Sequence, residues 1–196
     1  GNMISSGGLS PRGIDTADVD SNGTLDLVAV NSSSHNLVLL LGNGGGGFSP
    51  PLTFGVGAFV PHRIVIGHLN SDGQPDVVVA SPNSDTISLL TNNGHGFDAP
   101  NVINGGYFAH DVKIADMNND GFRDLVVANN TWYMWLFPGN GTGLFPTHQD
   151  ITNNSFVATF DFGDLNFDGR IDIAASGWGI TAAIQDTNGG FVASSY

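Results

Sequence analysis

Four acidic loops hold the residues of this chain whose types and spacing could do chemistry. Three of them follow the pattern Asp-x-Asp/Asn-x-Asp/Asn-Gly-x-x-Asp, and the second has histidine in the first position. Their first residues lie 50, 48 and 48 positions apart. The loops are DVDSNGTLD (18–26), HLNSDGQPD (68–76), DMNNDGFRD (116–124) and DLNFDGRID (164–172). Alternate side chains of such a loop point inward around a glycine bend, so that carboxylate and amide oxygens converge.

Converging carboxylates predict a bound cation. Two like charges about 4 Å apart repel by about 4 kcal/mol at an effective dielectric constant near 20, so without a cation the loop would open or take up protons. Oxygen ligands suit Ca²⁺, which accepts roughly six to eight of them, one commonly the backbone carbonyl of the seventh loop residue. We therefore predict three structural calcium sites. Their ligands would be Asp18, Asp20, Asn22, Thr24 and Asp26; Asp116, Asn118, Asp120, Phe122 and Asp124; and Asp164, Asn166, Asp168, Arg170 and Asp172.

The second loop is a degraded copy with two open interpretations. His68 replaces the first aspartate, and a nitrogen donor is a poor ligand for a hard cation. The remaining ligands would come from Asn70, Asp72, Gln74 and Asp76. With fewer charges, this loop either binds calcium weakly or forms a metal-free turn held by hydrogen bonds.

An EF-hand begins with the same loop pattern but is excluded here. It requires a bidentate glutamate at loop position 12, where this chain has Ala29, Val79, Val127 and Ala175. It also requires flanking helices, whereas the flanks of these loops are strand-like. A simpler alternative, that the clusters are ordinary hairpin turns, remains open because Asp and Gly favour turns in general.

The composition limits both the fold and the partners. The chain of 196 residues has no glutamate, one lysine and 28 glycines, which disfavours long helices. Its net charge of −13 argues against nucleic acid and anionic membrane surfaces as partners. No apolar run is long enough for a membrane span, so we expect no membrane insertion. The absence of cysteine excludes thiolate metal sites, and a lysine-poor, Asn- and Thr-rich chain suits an extracellular location, secreted or at the cell surface.

Each acidic loop lies inside a repeat of short β-strands. A mixed run precedes the loop, an apolar run such as LVAV or VVVA follows it, and a second apolar run leads to a Gly/Asn turn and an aromatic residue. This alternation predicts an all-β meander. A repeat of about 48 residues with about four antiparallel strands has the size of one β-propeller blade. We predict a single β-propeller domain or propeller segment, with blades at 11–60, 61–108, 109–156 and 157–196 plus 1–10.

The unit resembles the FG-GAP repeat, also called the VCBS repeat, of integrin-α-type calcium-binding β-propellers. Loop, flanking strands and period match in all four units, over nearly the whole chain. The resemblance implies calcium loops between the first two strands of each blade, on one rim, and ligand binding on the opposite rim. Propellers of this family usually close with seven blades, whereas four units are present here. The chain is therefore a closed four-bladed ring, half of a dimeric ring, or a segment of a longer array.

The opposite rim carries the candidate ligand-binding residues. They comprise a histidine pair and an aromatic pair, each 48 residues apart, and two tryptophans in corresponding loops. The residues are Phe59, His62, Tyr107, His110, Trp132 and Trp178. Aromatic faces beside polar side chains are typical of sugar-binding sites. The alternative is that these aromatic residues pack between blades, as large residues commonly do.

These features predict a binding module and not an enzyme. The absence of Glu and Cys removes many acid–base and nucleophilic designs, and the histidines form no recognisable Ser-His-Asp or metal-hydrolase pattern. We expect lectin-like carbohydrate recognition on the rim opposite the calcium loops. The alternatives are a protein–protein adhesion or assembly module of integrin-α type and an accessory domain of a secreted enzyme. The expected partners are a glycan or an extracellular protein, and a further copy of the chain if copies complete a larger ring.

Overall fold

The computed structural model describes residues 4–130, 133–152 and 156–195. Within these ranges, the regular structure consists of β-strands and one short 3₁₀ helix, Pro82–Ser84. The strands are β1 Pro11–Ala17, β2 Asp26–Asn31, β3 Asn36–Leu40, β4 Leu52–Gly55, β5 Arg63–Gly67, β6 Asp76–Ser81, β7 Thr86–Leu90, β8 Asn101–Asn104, β9 Asp111–Ala115, β10 Asp124–Ala128, β11 Tyr133–Phe137, β12 Gln149–Thr152, β13 Val157–Gly163, β14 Asp172–Gly177, β15 Ile180–Gln185 and β16 Phe191–Ser195. In this part of the chain, no helix has the length and apolar character that crossing a membrane requires.

The strands form four antiparallel sheets, each a meander of four consecutive strands. The sheets are β1–β4, β5–β8, β9–β12 and β13–β16, and we number them one to four. This arrangement confirms the predicted all-β fold with four strands in each repeat. The run DVVVAS of β6 is buried at every position, as expected for a strand whose two faces both meet neighbouring sheets.

Successive sheets stack face to face like propeller blades. The first strands of neighbouring sheets contact one another, β1 with β5, β5 with β9 and β9 with β13. Between sheets one and two, Val28 and Val30 pack with Val77 and Val79, and equivalent apolar clusters lie between sheets two and three and between sheets three and four. Fully burying one such side chain contributes about 1.5–3 kcal/mol, so these interfaces are the core of the fold.

The two end sheets leave their outward faces uncovered. Among the described residues, no apolar cluster joins the fourth sheet to the first. Ile14 on β1 is 64% exposed and Ile180 on β15 is 63% exposed. On the outward face of the first sheet, a cavity of about 270 Å³ is lined by Ile14, Leu27 and Leu40, among others. The four described sheets therefore form an open, propeller-like arc.

Residues 4–10 lie elsewhere than the sequence register predicted. We had grouped residues 1–10 with the fourth repeat, but the backbone N–H of Leu9 donates to Ser34 Oγ at 2.8 Å, in the loop between β2 and β3. The physical reason is that the fourth sheet already has its own outer strand, β16, paired along its length with β15. The segment therefore packs on the first sheet.

The meander places two kinds of connection at opposite ends of the sheets. The acidic loops and the turns between third and fourth strands lie at one end, which we call the acidic rim. The acidic rim comprises 18–26, 41–51, 68–76, 91–100, 116–124, 138–148, 164–172 and 186–190. The loops between second and third strands and the links between sheets lie at the other end, which we call the linker rim. The linker rim comprises 32–35, 56–62, 82–85, 105–110, 129–130, 156 and 178–179.

Candidate functional site

The first acidic loop brings three carboxylates together. Asp18, Asp20 and Asp26 place ligand oxygens within 4.8 Å of one another, and no other group of three acidic or histidine side chains in the described residues does so. Asn22 and Thr24 lie in the same loop, where Asn22 Oδ1 accepts a hydrogen bond from the backbone N–H of Thr24 at 2.8 Å. This donor set fits Ca²⁺, because carboxylate and amide oxygens are its usual protein ligands.

The third and fourth acidic loops share one turn geometry. Asp116 accepts hydrogen bonds from the backbone N–H groups of Asp120 at 3.1 Å and Gly121 at 3.0 Å, and Asp164 does the same in the fourth loop. Gly121 has φ +90°, and a Cβ there would meet no atom within 4 Å, so the backbone conformation and not space requires glycine. The other predicted ligands of these loops lie within the same turns: Asn118, Phe122, Asn166, Asp168 and Arg170.

Side-chain donors occupy part of the carboxylate in the fourth loop. Arg170 donates both its backbone N–H, at 2.9 Å, and its guanidinium to Asp168, and Asn166 Nδ2 donates to the same carboxylate at 2.7 Å. The backbone N–H of Arg170 is the main cause that lowers the pKa of Asp168 below its ordinary value. A cation in this loop would have to displace the guanidinium of Arg170 from Asp168.

The closing aspartate of each loop has a structural function that the sequence did not reveal. Its two oxygens each accept a backbone N–H, one from the second residue of the loop and one from a residue at or just after the end of the third strand. The four pairs of donors are Val19 and Gly42 for Asp26, Leu69 and Asn92 for Asp76, Met117 and Gly139 for Asp124, and Leu165 and Gln185 for Asp172. All four carboxylates are buried. Burial raises the pKa of Asp76 and of Asp124, while these N–H groups oppose the shift.

In the second loop, a side chain forms the contact that a cation would otherwise make. His68 Nδ1 lies 2.9 Å from the backbone oxygen of Gln74, and since a carbonyl only accepts, the proton must lie on Nδ1. Gln74 is the residue whose carbonyl was the predicted metal ligand. Asp72 and Asn70 hold the turn by accepting backbone N–H groups at 2.8 and 2.9 Å. The turn bonds recur in the other loops, so the contact of His68 with Gln74 is what distinguishes the second loop.

On the linker rim, a cavity of about 340 Å³ opens where the first strands of the four sheets begin. Its lining includes both histidines of the predicted ligand site, and all four sheets or the links before them contribute to it. The lining residues are Arg12, Val60, His62, Pro82, Asn83, Phe108, His110, Phe156 and Ala158. Three of these residues also share one position of the sequence repeat. They are Arg12, His62 and His110, each six residues before the first residue of an acidic loop.

The two histidines present unpaired nitrogens of opposite character. Arg12 Nη1 lies 3.2 Å from His62 Nε2, and because arginine only donates, the ring proton of His62 must lie on Nδ1. His110 Nδ1 lies 3.0 Å from the carbonyl oxygen of Phe108, which puts its proton on Nδ1 and a lone pair on Nε2. His62 Nδ1 and His110 Nε2 are both buried without a hydrogen-bond partner. Of the two, His62 Nδ1 still lies close enough to the backbone of His110 for that group to raise the pKa of His62, so His110 Nε2 is the clearer unpaired group in the cavity wall.

Charged groups next to the cavity shift the pKa of His62. Burial lowers that pKa below its ordinary value, and the positive charges of Arg12 and Arg63 lower it further, with partial compensation from the backbone of His110. Arg63 itself is paired with Asp111 at 2.9 Å, and Asp111 also accepts a hydrogen bond from Thr159 at 3.1 Å. This network ties sheets two, three and four together beside the cavity.

The predicted aromatic residues divide between the cavity and the exposed rim. Phe156 stacks on His110 with ring centroids 5.9 Å apart, and Trp178 contacts Phe156 at 6.1 Å. Phe59 and Tyr107 do not line the cavity; they are 68% and 63% exposed on the same rim. Trp132 lies outside the described residues. The sequence prediction missed Phe108 and Phe156, which form the aromatic part of the cavity wall.

Comparisons with known proteins relate the fold to solved structures. BBS1N, in crystals of its complex with ARL6DN, superposes with TM-scores of 0.64 and 0.65 at 14% and 15% identity, covering 94% of this chain and 55% and 57% of BBS1N. The Vibrio cholerae biofilm matrix protein Bap1 superposes with a TM-score of 0.59 at 18% identity, covering 93% of this chain and 27% of Bap1. This chain thus spans just over half of one neighbour and about a quarter of the other. No curated protein matches the sequence.

A family model for the FG-GAP-like repeat matches residues 68–127 and 116–175. The two matches together cover more than half of the chain and include the second, third and fourth acidic loops. The four-stranded sheets, the loop position between first and second strands, and the likeness to solved propeller-like structures agree with this match. The chain therefore belongs to the FG-GAP-like repeat family.

Proposed function

We propose that this chain is an extracellular, calcium-stabilised binding module that recognises carbohydrate in the cavity of the linker rim. One observation carries the proposal: the cavity combines two histidines, His62 and His110, each with a ring nitrogen that lacks a well-formed hydrogen bond, with the rings of Phe108 and Phe156. Buried polar atoms in proteins nearly always have partners, so two unpaired nitrogens in one cavity point to a ligand that completes them.

A sugar matches this chemistry. Each hydroxyl group both donates and accepts, so neighbouring hydroxyls can accept from His62 Nδ1 and donate to His110 Nε2. The apolar face of a sugar ring can lie against Phe108 or Phe156. A volume of about 340 Å³ is at the lower end of ligand pockets, which suits a small terminal saccharide.

Calcium would act at the acidic rim, far from the ligand. In the first loop, Asp18, Asp20 and Asp26 supply converging oxygens, and in the third and fourth loops the same pattern of residues could do so. A bound cation would offset carboxylate repulsion and hold the hairpin of each sheet, so its binding would contribute to folding. Low lysine content and an abundance of Asn, Ser and Thr support a location outside the cell.

A glycan array tests the carbohydrate proposal directly. The wild-type chain should give reproducible sugar hits, and His110→Ala should lose them because it removes the free acceptor and the ring stacked on Phe156. His95→Ala is the matched control, since His95 is exposed in a turn of the acidic rim. An array without hits, or hits that survive His110→Ala at unchanged affinity, would contradict the proposal.

Protein recognition is the second candidate function. Phe59, Tyr107 and Trp178 are 68%, 63% and 78% exposed on the linker rim, which is more aromatic surface than a sugar site needs. Aromatic residues are enriched in protein interfaces. The structural neighbour BBS1N was crystallised in complex with a protein, ARL6DN. If this surface binds protein, Phe59→Ala and Tyr107→Ala should weaken binding to an immobilised extracellular protein even after its glycans are removed.

A further inference from the structure

The linker-rim cavity differs in charge from the rest of the molecule. The chain carries a net charge of −13, yet no aspartate is among the residues that line this cavity. The lining contains Arg12 and two histidines instead. Two aspartates bonded to or adjacent to lining residues have partners: Asp85 accepts the backbone N–H of Phe108 at 2.7 Å, and Asp111, which follows His110, is paired with Arg63. The cavity is thus a local basic site on an acidic protein.

Arg12 is the group of this site with spare binding capacity. Of the five lysine and arginine residues, Arg63, Lys113 and Arg170 form ion pairs with aspartates, whereas Arg12 forms none with the described residues. Among the described residues, its side chain makes one hydrogen bond, from Nη1 to His62, which uses one of five N–H donors. A guanidinium with free donors binds a carboxylate through two parallel hydrogen bonds, which suits it to planar anions.

We propose that the cavity selects an acidic sugar, with Arg12 binding the carboxylate and the histidine pair binding adjacent hydroxyl groups. This inference rests on the proposed carbohydrate function and specifies its ligand class. A sulfated sugar offers the same negative charge, but the planar fork of arginine and the small cavity favour the carboxylate. No aspartate is among the lining residues, so the carboxylate would meet Arg12 without competition from an acidic side chain of the lining.

His62 makes this recognition sensitive to pH. The charged groups that lower its pKa are Arg12 on β1, Arg63 on β5 and His110 before β9, and the neighbouring carboxylate of Asp111 is paired with Arg63. A bound anion would offset these positive charges and favour the protonated form of His62. Because the pKa of free His62 lies below 6.5, binding of an acidic sugar should take up a proton and strengthen as the pH falls below about 6.5.

Calorimetric titration of the whole chain with three sugars tests the inference. The probes are methyl glucuronide, its neutral counterpart methyl glucoside, and glucose 6-sulfate. We expect the glucuronide to bind at least about tenfold more tightly than the glucoside, since hydrogen bonds to charged groups are the stronger class. Arg12→Met should abolish that difference, and Arg12→Lys should restore only part of it because lysine lacks the fork.

Arg123→Met is the matched control, because it removes one exposed positive charge far from the cavity. It should leave the preference for glucuronide unchanged, and unchanged circular dichroism should accompany all variants. Equal binding of glucuronide and glucoside would overturn the acidic-sugar inference while leaving carbohydrate binding intact. Tighter binding of the sulfate than of the glucuronide would overturn the carboxylate assignment. Failure of all three sugars to bind while glycan-array hits remain would overturn this inference alone, whereas an array without hits would refute the proposed function as well.

Discussion

The closing aspartates should stabilise the fold even without metal, and Asp76 offers the clearest test. It is fully buried, and its oxygens accept the backbone N–H groups of Leu69 at 2.8 Å and Asn92 at 2.9 Å. Asp76→Ala leaves both donors buried without an acceptor, at a cost of about 1–3 kcal/mol each. We therefore expect a loss of about 2–6 kcal/mol, a large part of the roughly 5–15 kcal/mol typical of a folded protein. Burial of the carboxylate, which raises the pKa of Asp76, offsets part of this loss.

Denaturation by urea at pH 7, in excess EDTA and again with calcium, measures the effect. The second loop is suited to this experiment because His68 already bonds the carbonyl that a metal would bind. Asp76→Asn keeps one acceptor and should cost about half as much, while Asp98→Ala, at an exposed site, should change stability by less than about 0.5 kcal/mol. A loss that appears only in the presence of calcium would refute the hydrogen-bond role and make Asp76 a metal ligand.

Three further outcomes are expected. Asp20→Asn should remove most of the stabilisation that calcium provides through the first loop, a free energy of about 2.7 kcal/mol if calcium is present at about 100 times its Kd. A wild-type Tm that does not rise with calcium would contradict this. Gly121→Ala should destabilise by about 1–2 kcal/mol because φ is +90°, whereas Gly55→Ala, in open space without positive φ, should not. Because the pKa of His62 is lowered on folding, stability should fall as the pH drops below about 6.5, and His62→Gln should flatten that part of the curve, as thermal melts would report.

The fold could be predicted because its signals are local and repeated. Each apolar run, turn and acidic loop recurs at nearly constant spacing, and a period near 48 residues leaves room for four short strands. The placement of residues 4–10 was not predictable in this way. Their position depends on Ser34 and on the outer strand β16 already filling the fourth sheet, and a repeat register carries no information on either contact.

The ligand cavity was predicted in part, and the error has a simple geometric cause. His62 and His110 were identified from their shared register, but the aromatic residues chosen with them were Phe59 and Tyr107. The cavity uses the next register position, which holds Phe108 and Phe156, also 48 residues apart. Phe108 lies in a turn with φ +55°, a backbone conformation that repeat spacing does not reveal, and its side chain lines the cavity while that of Tyr107 is exposed.

Arg12 and the closing aspartates were missed for different reasons. Arg12 precedes His62 by 50 residues, so a search at the dominant spacing of 48 does not find it. The first and second acidic loops are also 50 residues apart, which would have revealed the correspondence. The closing aspartates were assigned only to metal. Their hydrogen bonds to corners 13 to 16 residues further along depend on how the third strand returns, which requires the tertiary structure.

Contacts between the acidic loops and the next sheet make the arc a chain of linked units. The backbone oxygen of Val19 accepts a hydrogen bond from Asn92 at 2.7 Å, and that of Met117 accepts one from Gln185 at 2.7 Å. Between sheets two and three, Asn70 forms a β-bridge to Thr142. A loop that loosens therefore withdraws a partner from its neighbour. Cation loss and unfolding should spread from blade to blade, as in nearest-neighbour models of repeat proteins, with the weakest loop setting where they begin.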